Sequence, residues 1–288
     1  ARWSDLLNTV RDFARKTGLP AYSVKTQSGF WRFLVLRRSQ YSGHWMVQII
    51  TTDDAPDILN NLKSQLILNF PEITSLIHGV SRKPSQIAVS DYERVLFGSE
   101  FITEHIGSLE FEISSNAFFQ TNTQAAEVLY GKALELADFR KTDTVLDLYC
   151  GTGTISLFVA PHVKEVVGYE LVENAVQNAR KNAIHNNISN CSFISGDLRQ
   201  VLKNTKTFGD VVILDPPRAG LHEEVVQTVL DLDPRTILYI SCNPSTQARD
   251  VALFCNGPYR LTSIQPVDMF PHTYHIENIV RLERTYGL

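Results

Sequence analysis

The stretch from Thr144 to Thr154, TVLDLYCGTGT, decides the fold of this chain. Its apolar, β-branched beginning is typical of a buried strand, and its glycines lie where a helix would start. Glycines at such a turn let backbone N–H groups approach a ligand without an intervening Cβ atom. In an open parallel sheet, ligands bind just beyond the carboxyl ends of the strands. The stretch therefore predicts a ligand-binding loop at the edge of a parallel sheet.

Strands and helices alternate from Thr121 onward, which predicts a parallel sheet with helices on both faces. The last two strands are joined by a short connection, Asp268 to Tyr274, and we expect them to pair antiparallel. The predicted strands are Thr144 to Leu148, Glu165 to Tyr169, Cys191 to Ser195, Val211 to Asp215, Thr236 to Ser241, Arg260 to Val267 and His275 to Leu282. The predicted helices begin near Thr154, Val172, Asp197 and Leu221, and a further one runs from Ser245 to Phe254.

The region before residue 107 has a different pattern, and we predict a small α+β domain at 1–107, followed by a second domain at 108–288. Helix, strand, strand, helix and strand follow one another, as in a ferredoxin-like unit without its first strand. The predicted elements are Asp5 to Lys16, Phe30 to Arg38, His44 to Thr52, Ala55 to Phe70 and Ile73 to Val80, with further strands near Arg94 to Gly98 and at Leu109 to Ser114.

Composition excludes several classes of protein. The 288 residues are 43% hydrophobic, which is typical of a globular chain. The sequence contains no apolar run of roughly 20 residues and begins without a signal peptide. Its four cysteines have no metal-binding spacing, so we expect no metal, a reducing compartment and a cytoplasmic location. The net charge of −4 predicts no bulk attraction to nucleic acid, and any RNA must meet a local basic surface.

Acidic residues follow the next two strands of the predicted sheet. Glu170 ends the second strand, where a carboxylate can bind ribose hydroxyls, and Asp197 follows the third, where an adenine edge would lie. A dinucleotide-binding fold would need a third glycine in the first loop. The pattern instead resembles the Rossmann-like S-adenosylmethionine-dependent methyltransferases, whose fold has an antiparallel last strand. A methyltransferase is therefore favoured over a dehydrogenase.

Cys242 lies between the fifth strand and a helix that Asn243 and Pro244 are predicted to begin. The positive end of a helix dipole is expected to lower the pKa of a thiol and make it a nucleophile. A buried, unreactive cysteine is the alternative. A thiolate beside a methyl donor indicates covalent activation of a weakly nucleophilic carbon, such as carbon 5 of a pyrimidine.

The fourth strand leads into Asp215-Pro216-Pro217-Arg218. Enzymes that methylate exocyclic amines have an aromatic residue after the paired prolines, so Arg218 argues against that chemistry. Cytosine-5 RNA enzymes have a cysteine in this motif, and its absence favours uracil. After methylation a base must remove the proton from carbon 5. The chemistry alone leaves Glu277, His275 and His272 open for that role.

Paired aromatic residues precede a glutamine in the segment Ser115 to Gln120, SNAFFQ. Phe118 and Gln120 could stack on a flipped base and hydrogen-bond its edge. Two phenylalanines in a row are, however, also common in a protein core.

Taken together, these motifs resemble those of the RNA uracil-5-methyltransferases, which make 5-methyluridine in transfer RNA and in 23S ribosomal RNA. The resemblance runs from about Phe30 to the end of the chain. It is carried by five ordered segments: Ser115 to Gln120, Asp147 to Gly153, Asp215 to Arg218, Ser241 to Pro244 and His272 to Glu277.

The resemblance implies a Rossmann-like methyltransferase that acts as a monomer on structured RNA with S-adenosyl-L-methionine. It implies that Cys242 is the nucleophile and that Glu277 accepts the proton. Residues implied to bind the cofactor are Gln120, Tyr149, Gly151, Thr154, Glu170, Asp197 and Asp215. Residues implied to bind the uridine are Phe118, Gln120, Asp215 and Arg218. The family usually has asparagine at the position of Thr154.

Many ribosomal RNA members of the family also carry an N-terminal oligonucleotide-binding barrel and a four-cysteine iron–sulfur cluster. Neither is found in this sequence. Local contacts with RNA are then expected from an aromatic and basic group of residues, unless that group is an ordinary hairpin with a solvated basic face. An RNA-binding module without efficient catalysis is the second class of function that stays open. The group comprises Trp31, Arg32, Arg37, Arg38 and Trp45.

Overall fold

The computed structural model describes residues 2–84, 86–204 and 208–285, with only the backbone described at 203 and 204. The chain divides into two compact units. The first contains Ala1–His105 and Glu112–Ala117, and the second contains Ile106–Phe111 and Phe118–Leu288. The domain boundary predicted at residue 107 falls within the first segment of the second unit. Across the described residues, every helix is too short or too polar to cross a membrane.

The first unit is built on a four-stranded sheet with the order β1-β2-β3-β4. Its elements are α1 (Arg2–Lys16), β1 (Trp31–Arg38), β2 (Trp45–Thr51), α2 (Pro56–Asn69), β3 (Ile73–Val80) and β4 (Tyr92–Gly98). Leu59, Leu62 and Leu66 repeat at helical spacing and form the buried stripe of α2. They pack with Leu6 of α1 and Val47 of β2 in one hydrophobic core.

The ferredoxin-like prediction for this unit is wrong in its strand order. In a split β-α-β arrangement the missing first strand would lie between β2 and β3. Here β2 and β3 pair directly and in parallel, and β4 pairs antiparallel with β3. The helix α2 therefore makes a simple crossover between adjacent strands. A two-stranded sheet of β5 (Phe101–Ile106) and β6 (Leu109–Ser114) follows, and β5 was not predicted.

The second unit contains a seven-stranded sheet with the order β12-β13-β11-β10-β7-β8-β9. Its strands are β7 (Thr144–Leu148), β8 (Glu165–Glu170), β9 (Cys191–Ser195), β10 (Val211–Leu214), β11 (Thr236–Ser241), β12 (Tyr259–Val267) and β13 (Glu277–Arg284). Its helices are α3 (Thr123–Ala137), α4 (Thr154–Val159), α5 (Glu173–His185), α6 (Leu198–Asn204), α7 (Glu223–Leu232) and α8 (Pro244–Cys255), and a 3₁₀ turn covers Ala160–His162. The sequence analysis did not place α3.

The antiparallel last strand is confirmed, since β13 pairs antiparallel with both β11 and β12. The central strands β10 and β11 are buried along their whole length, as expected for strands covered by helices on both faces. The strand order reverses between β7 and β10, and this point is where open α/β sheets bind their ligands. The fold therefore places the glycine loop after β7 beside the loop after β10.

The register of β11 and β13 brings two distant parts of the chain together. Ser241, the last residue of β11, pairs with Asn278 of β13. Cys242 follows directly after β11, and Glu277 directly precedes Asn278 in β13, so the end of the antiparallel pairing brings these two residues opposite each other. The last strand begins at Glu277 and not at His275 as predicted. Glu277 therefore lies on the ordered edge of the sheet, and His275 lies in the loop before it.

Candidate active site

The glycine loop after β7 has a left-handed backbone conformation at three residues. Tyr149, Gly151 and Gly153 have φ angles of 70°, 54° and 80°. A Cβ atom at Gly153 would lie 2.9 Å from the ring of Phe193, which explains the need for glycine there. A Cβ atom at Gly151 would meet nothing within 4 Å. The backbone at Gly151 therefore borders open space that a ligand can enter.

Glu170 at the end of β8 holds this loop through its carboxylate. Its Oε2 accepts a hydrogen bond from the Gly151 N–H at 3.2 Å, and its Oε1 accepts one from the Val172 N–H at 2.9 Å. The carboxylate stays partly exposed. Leu171 and Val172, which follow directly, are 67% and 55% exposed, and the sequence analysis missed them. Apolar side chains exposed beside this carboxylate offer a surface for a flat, apolar ligand group.

Asp147 is a further polar residue of this loop, and it is not among the site residues predicted from the sequence. Its side chain is fully buried, and its Oδ2 accepts a hydrogen bond of 2.5 Å from the Ser156 hydroxyl. Its Oδ1 has no partner among the described residues. Burial raises the pKa of Asp147 to about 7, and the Glu170 charge adds to that shift. The only signal in the sequence is an acid at the end of the strand before the glycines.

Thr154 and Asp197 both have protein partners. The Thr154 hydroxyl lies 3.1 Å from the hydroxyl of Tyr130, a buried residue of α3. The Asp197 carboxylate pairs with Arg199, whose Nε lies 3.0 Å from Oδ1. Hydrogen bonds from Arg199 lower the pKa of Asp197 to about 2. Burial raises the pKa of the Tyr149 hydroxyl to about 12, and the Asp197 charge contributes to that shift.

Cys242 and Glu277 form an electrostatic group with Asp215 and Arg218. Burial raises the pKa of the Cys242 thiol, and the Glu277 carboxylate raises it further, whereas contact with the Arg218 guanidinium lowers it. Burial also raises the pKa of Glu277 to about 7, against an opposing effect of Arg218. The pKa of Asp215 rises to about 8, first through burial and then through the Glu277 and Asp147 charges. The Glu277 and Asp147 charges therefore disfavour ionisation of Asp215, whereas the pKa of Glu277 itself is raised by burial.

The predicted helix start after Cys242 is confirmed, but the expected lowering of the Cys242 pKa is not. Asn243 caps α8 by accepting a hydrogen bond from the Ser245 N–H, and Pro244 is the first helical residue. We expected the helix dipole to lower the pKa of Cys242. The pKa is raised instead, because burial and the nearby Glu277 outweigh the cationic groups.

Arg218 is tied by its backbone to the start of α8. The Asn243 side-chain amide donates to the Arg218 carbonyl at 3.0 Å, and the Thr246 hydroxyl donates to it at 3.2 Å. The guanidinium is exposed, and its Nη2 lies 3.3 Å from Nδ1 of His275. His272 is exposed in the same loop, with a φ angle of 69°. Neither histidine shares the buried position of Glu277 opposite the thiol.

The two phenylalanines before Gln120 have different environments. Phe119 is buried, and its ring lies 5.5 Å from that of Phe111. Phe118 is 74% exposed and is therefore available for contact with a ligand. Gln120 is partly exposed. Phe119 is thus a core residue, whereas Phe118 and Gln120 are accessible to a substrate.

In the first unit, most of the residues expected to contact RNA are engaged elsewhere. Trp45 is buried and stacks on Trp3 with ring centroids 4.3 Å apart. Arg37 donates hydrogen bonds to the carbonyls of Ser115 and Ala117 at 3.1 and 2.8 Å. For Trp45 and Arg37 the expectation was wrong, because both side chains are occupied by contacts within the first unit.

Two other members of this group also have internal contacts. Arg32 donates to the Ser81 carbonyl at 2.6 Å and lies over the Tyr22 ring, and Trp31 meets the ring of Phe13 edge-on. Arg38 is exposed. The basic and aromatic pattern of the sequence therefore describes mainly the packing of this unit.

The fold and the site geometry together define a class of protein. The sheet order, the antiparallel last strand, the glycine loop after the first strand and the acid after the second are those of the Rossmann-like methyltransferases. Residues 74–285 match the model of the tRNA (uracil-5-)-methyltransferase family. The chain belongs to this family.

Relatives and solved structures support this assignment. The chain is 41% identical over 285 residues to an uncharacterized RNA methyltransferase from Chlorobaculum tepidum, covering 97% of this chain and 59% of that one. It is 38% identical to another from Clostridium tetani, covering 98% of this chain and 62% of that one. The chain thus spans about three-fifths of the length of these relatives.

The structure of Pyrococcus abyssi tRNA (uracil-54, C5)-methyltransferase in complex with S-adenosyl-L-homocysteine is also similar. It has a TM-score of 0.78 and 34% sequence identity, covering 96% of this chain and 65% of that one.

Proposed function

We propose that this chain transfers a methyl group from S-adenosyl-L-methionine to carbon 5 of a uridine in structured transfer or ribosomal RNA. The observation that carries the proposal is the position of Cys242 opposite Glu277, with Asp215 and Arg218 in the same electrostatic group. The family match and the homocysteine complex of the Pyrococcus enzyme support the choice of reaction and cofactor.

The residues around the glycine loop fit the cofactor. The open space beside Gly151 leaves room for it, the Asp147 Oδ1 has an unused hydrogen-bonding capacity, and the Glu170 carboxylate is partly exposed for ribose hydroxyls. When bound, the cofactor supplies an electrophilic methyl group on a sulfonium. We propose that it is held by Gln120, Tyr149, Gly151, Thr154, Glu170, Asp197 and Asp215.

The protein residues then carry out the steps on the uracil. The Cys242 thiol gives its proton to solvent, and the sulfur bonds to carbon 6 while the electron pair of the carbon 5–carbon 6 double bond moves into the ring as an enolate. Carbon 5 of this enolate then takes the methyl group, and the electron pair of the broken methyl–sulfur bond stays on the former sulfonium sulfur. Glu277 removes the proton from carbon 5, and the electron pair of that bond expels the Cys242 sulfur. Arg218 stabilises the thiolate by its positive charge. We propose that Phe118, Gln120, Asp215 and Arg218 hold the flipped uridine.

RNA containing 5-fluorouridine tests the proposed chemistry directly. Fluorine at carbon 5 cannot leave as a proton, so the reaction should stop after methyl transfer as a covalent protein–RNA adduct. We expect a band that survives denaturing gel electrophoresis with wild-type protein and cofactor. The band should be lost without cofactor or in Cys242→Ser. A cofactor-bound protein that traps neither transfer nor ribosomal RNA fragments would refute the uracil assignment.

The raised pKa of Glu277 predicts a pH dependence for proton removal. With a pKa of about 7, the carboxylate is mostly protonated below pH 6, and a protonated carboxyl cannot accept the carbon-5 proton. We expect tritium release from the preformed Cys242–uracil adduct, followed after a pH jump so that thiol ionisation does not limit the rate, to fall about tenfold per pH unit in the acid range and to level off above neutrality. A rate that is constant between about pH 5 and 8 would contradict this assignment of the base.

A further inference from the structure

Tyr274 is an aromatic residue with almost no packing in the protein. Its side chain is 90% exposed, in the loop between β12 and β13. The loop ends at Glu277, so it lies at the same sheet edge as Cys242. An exposed ring adds little to the stability of the fold, and its free face can stack on the base of an unpaired nucleotide.

The loop that carries Tyr274 is held by specific contacts. Met269 is fully buried, and its carbonyl accepts a hydrogen bond of 3.0 Å from the Asn122 side-chain amide. The Thr273 hydroxyl donates to the Phe270 carbonyl at 2.7 Å and accepts from the His275 N–H at 3.2 Å. These contacts fix the backbone on both sides of Tyr274. The exposed ring is therefore presented on a preformed loop.

The neighbours of Tyr274 connect it to the reactive group. Its ring centroid lies 4.1 Å from that of His275, with a tilt of 43° between the planes. The other neighbour of His275 is Arg218, whose Nη2 is 3.3 Å from the imidazole Nδ1. The side-chain amide of Asn243, the residue after Cys242, in turn donates to the Arg218 carbonyl at 3.0 Å. A ligand that covers Tyr274 would thus lie beside an exposed cationic group and close to the nucleophile.

We propose that Tyr274 stacks on the base of an unpaired nucleotide next to the target uridine. This inference rests on the proposed function and adds a second contact for the same RNA. An aromatic ring can stack on the face of any base, and the Arg218 guanidinium can bind the phosphate between the two nucleotides. Such a local cation matters here because the chain as a whole carries a net charge of −4. Stacking on Tyr274 keeps the neighbouring base away from the space that the uridine leaves when it flips out of the RNA.

RNA binding by Tyr274 variants tests the proposal. Dissociation constants would be measured by fluorescence anisotropy, using a labelled 5-fluorouridine RNA and S-adenosyl-L-homocysteine, which permits binding without methyl transfer. We expect Tyr274→Ala to weaken binding by about 5- to 100-fold, since a base–aromatic stack contributes on that scale. Tyr274→Phe and Tyr274→Trp should bind within about twofold of wild type because the ring face is kept. Affinity for S-adenosyl-L-homocysteine should not change.

Ile184→Ala is the matched control. Ile184 is a 78% exposed apolar residue near the end of α5 in the same unit. Because α5 runs back from the carboxyl end of β8, Ile184 lies at the opposite edge of the sheet, and its loss should not affect RNA binding.

The outcomes separate this proposal from the proposed function. If Tyr274→Ala binds as tightly as wild type, or Tyr274→Phe loses as much affinity as Tyr274→Ala, the stacking proposal is wrong. Trapping of 5-fluorouridine RNA by wild type would leave the proposed function intact in either case. RNA binding without trapping would refute the uracil chemistry alone. The ratio of the dissociation constants of Tyr274→Ala and Tyr274→Phe would still show whether Tyr274 stacks on a base. No RNA binding by wild type would overturn both.

Discussion

Replacing Cys242 with alanine is expected to reduce methyl transfer by more than about 10⁴-fold while cofactor binding is unchanged. Without the sulfur no covalent bond to carbon 6 can form, and carbon 5 of uracil is too weak a nucleophile to attack the methyl group. The glycine loop and Glu170 do not depend on this side chain for their hydrogen bonds. Transfer of labelled methyl groups into RNA and calorimetric titration with S-adenosyl-L-homocysteine measure the two effects separately.

Cys255→Ala is the matched control for this prediction. Cys255 is a free, exposed cysteine at the last residue of α8, the helix that begins just after Cys242. Its replacement removes a thiol from the same helical segment without touching the group around Glu277, so activity should be retained. Substantial methyl transfer by Cys242→Ala, or equal losses in both variants, would refute covalent catalysis by Cys242.

Replacing Glu277 with glutamine is expected to leave addition and methyl transfer possible but to block release of the product. An amide of the same shape cannot take the proton from carbon 5, so the Cys242–uracil bond should persist. We expect an adduct with ordinary, unfluorinated RNA that survives denaturation, and turnover reduced by about 10²- to 10⁴-fold. Gel electrophoresis after a single turnover would show the adduct, and release of the carbon-5 proton would report the blocked step.

The same substitution should not destabilise the protein. The folded-state pKa of Glu277 is raised to about 7 from an ordinary value of 4.5. The carboxyl therefore favours the folded state at low pH, and this advantage is lost as the pH rises through about 7. Above that pH a neutral glutamine is expected to raise the melting temperature.

Glu283→Gln serves as the control on the same strand. Glu283 lies near the other end of β13 and pairs with Arg260 and Arg281, so its replacement should leave product release normal. Rapid, complete release by Glu277→Gln would assign the base elsewhere, with His275 as the first candidate.

Much of the fold follows from local patterns in the sequence. β7, β9 and β11 begin and end at the predicted residues. For β7 and β11 the reason is that buried strands need continuous apolar segments, which the sequence shows directly. The cap of α8 at Asn243 is equally local. β5 and α3 were missed. The strand β5, FITEHI, includes two charged or titratable residues, and the alternating burial that orders it depends on its partner strand.

The candidate site was only partly predictable for a related reason. Chemistry alone left Glu277, His275 and His272 open, and the resemblance to the family selected Glu277. The pairing of Ser241 with Asn278 sets Glu277 opposite Cys242, whereas both histidines lie in the preceding loop. Trp45 and Arg37 were assigned to a surface because a basic and aromatic composition does not reveal which way each side chain points.

The sequence by itself determined the order of the elements, the glycine loop at Gly151 and Gly153, and the positions of the acids and the cysteine along the chain. These features depend on residues close together in sequence. Only the tertiary structure decided which of them meet and in what electrostatic environment. Burial raises the pKa values of Cys242, Glu277 and Asp215 together, and the exposure of Tyr274 beside them emerges from the same packing. Such effects depend on neighbours from different strands, and strand pairing joins residues that the sequence keeps far apart.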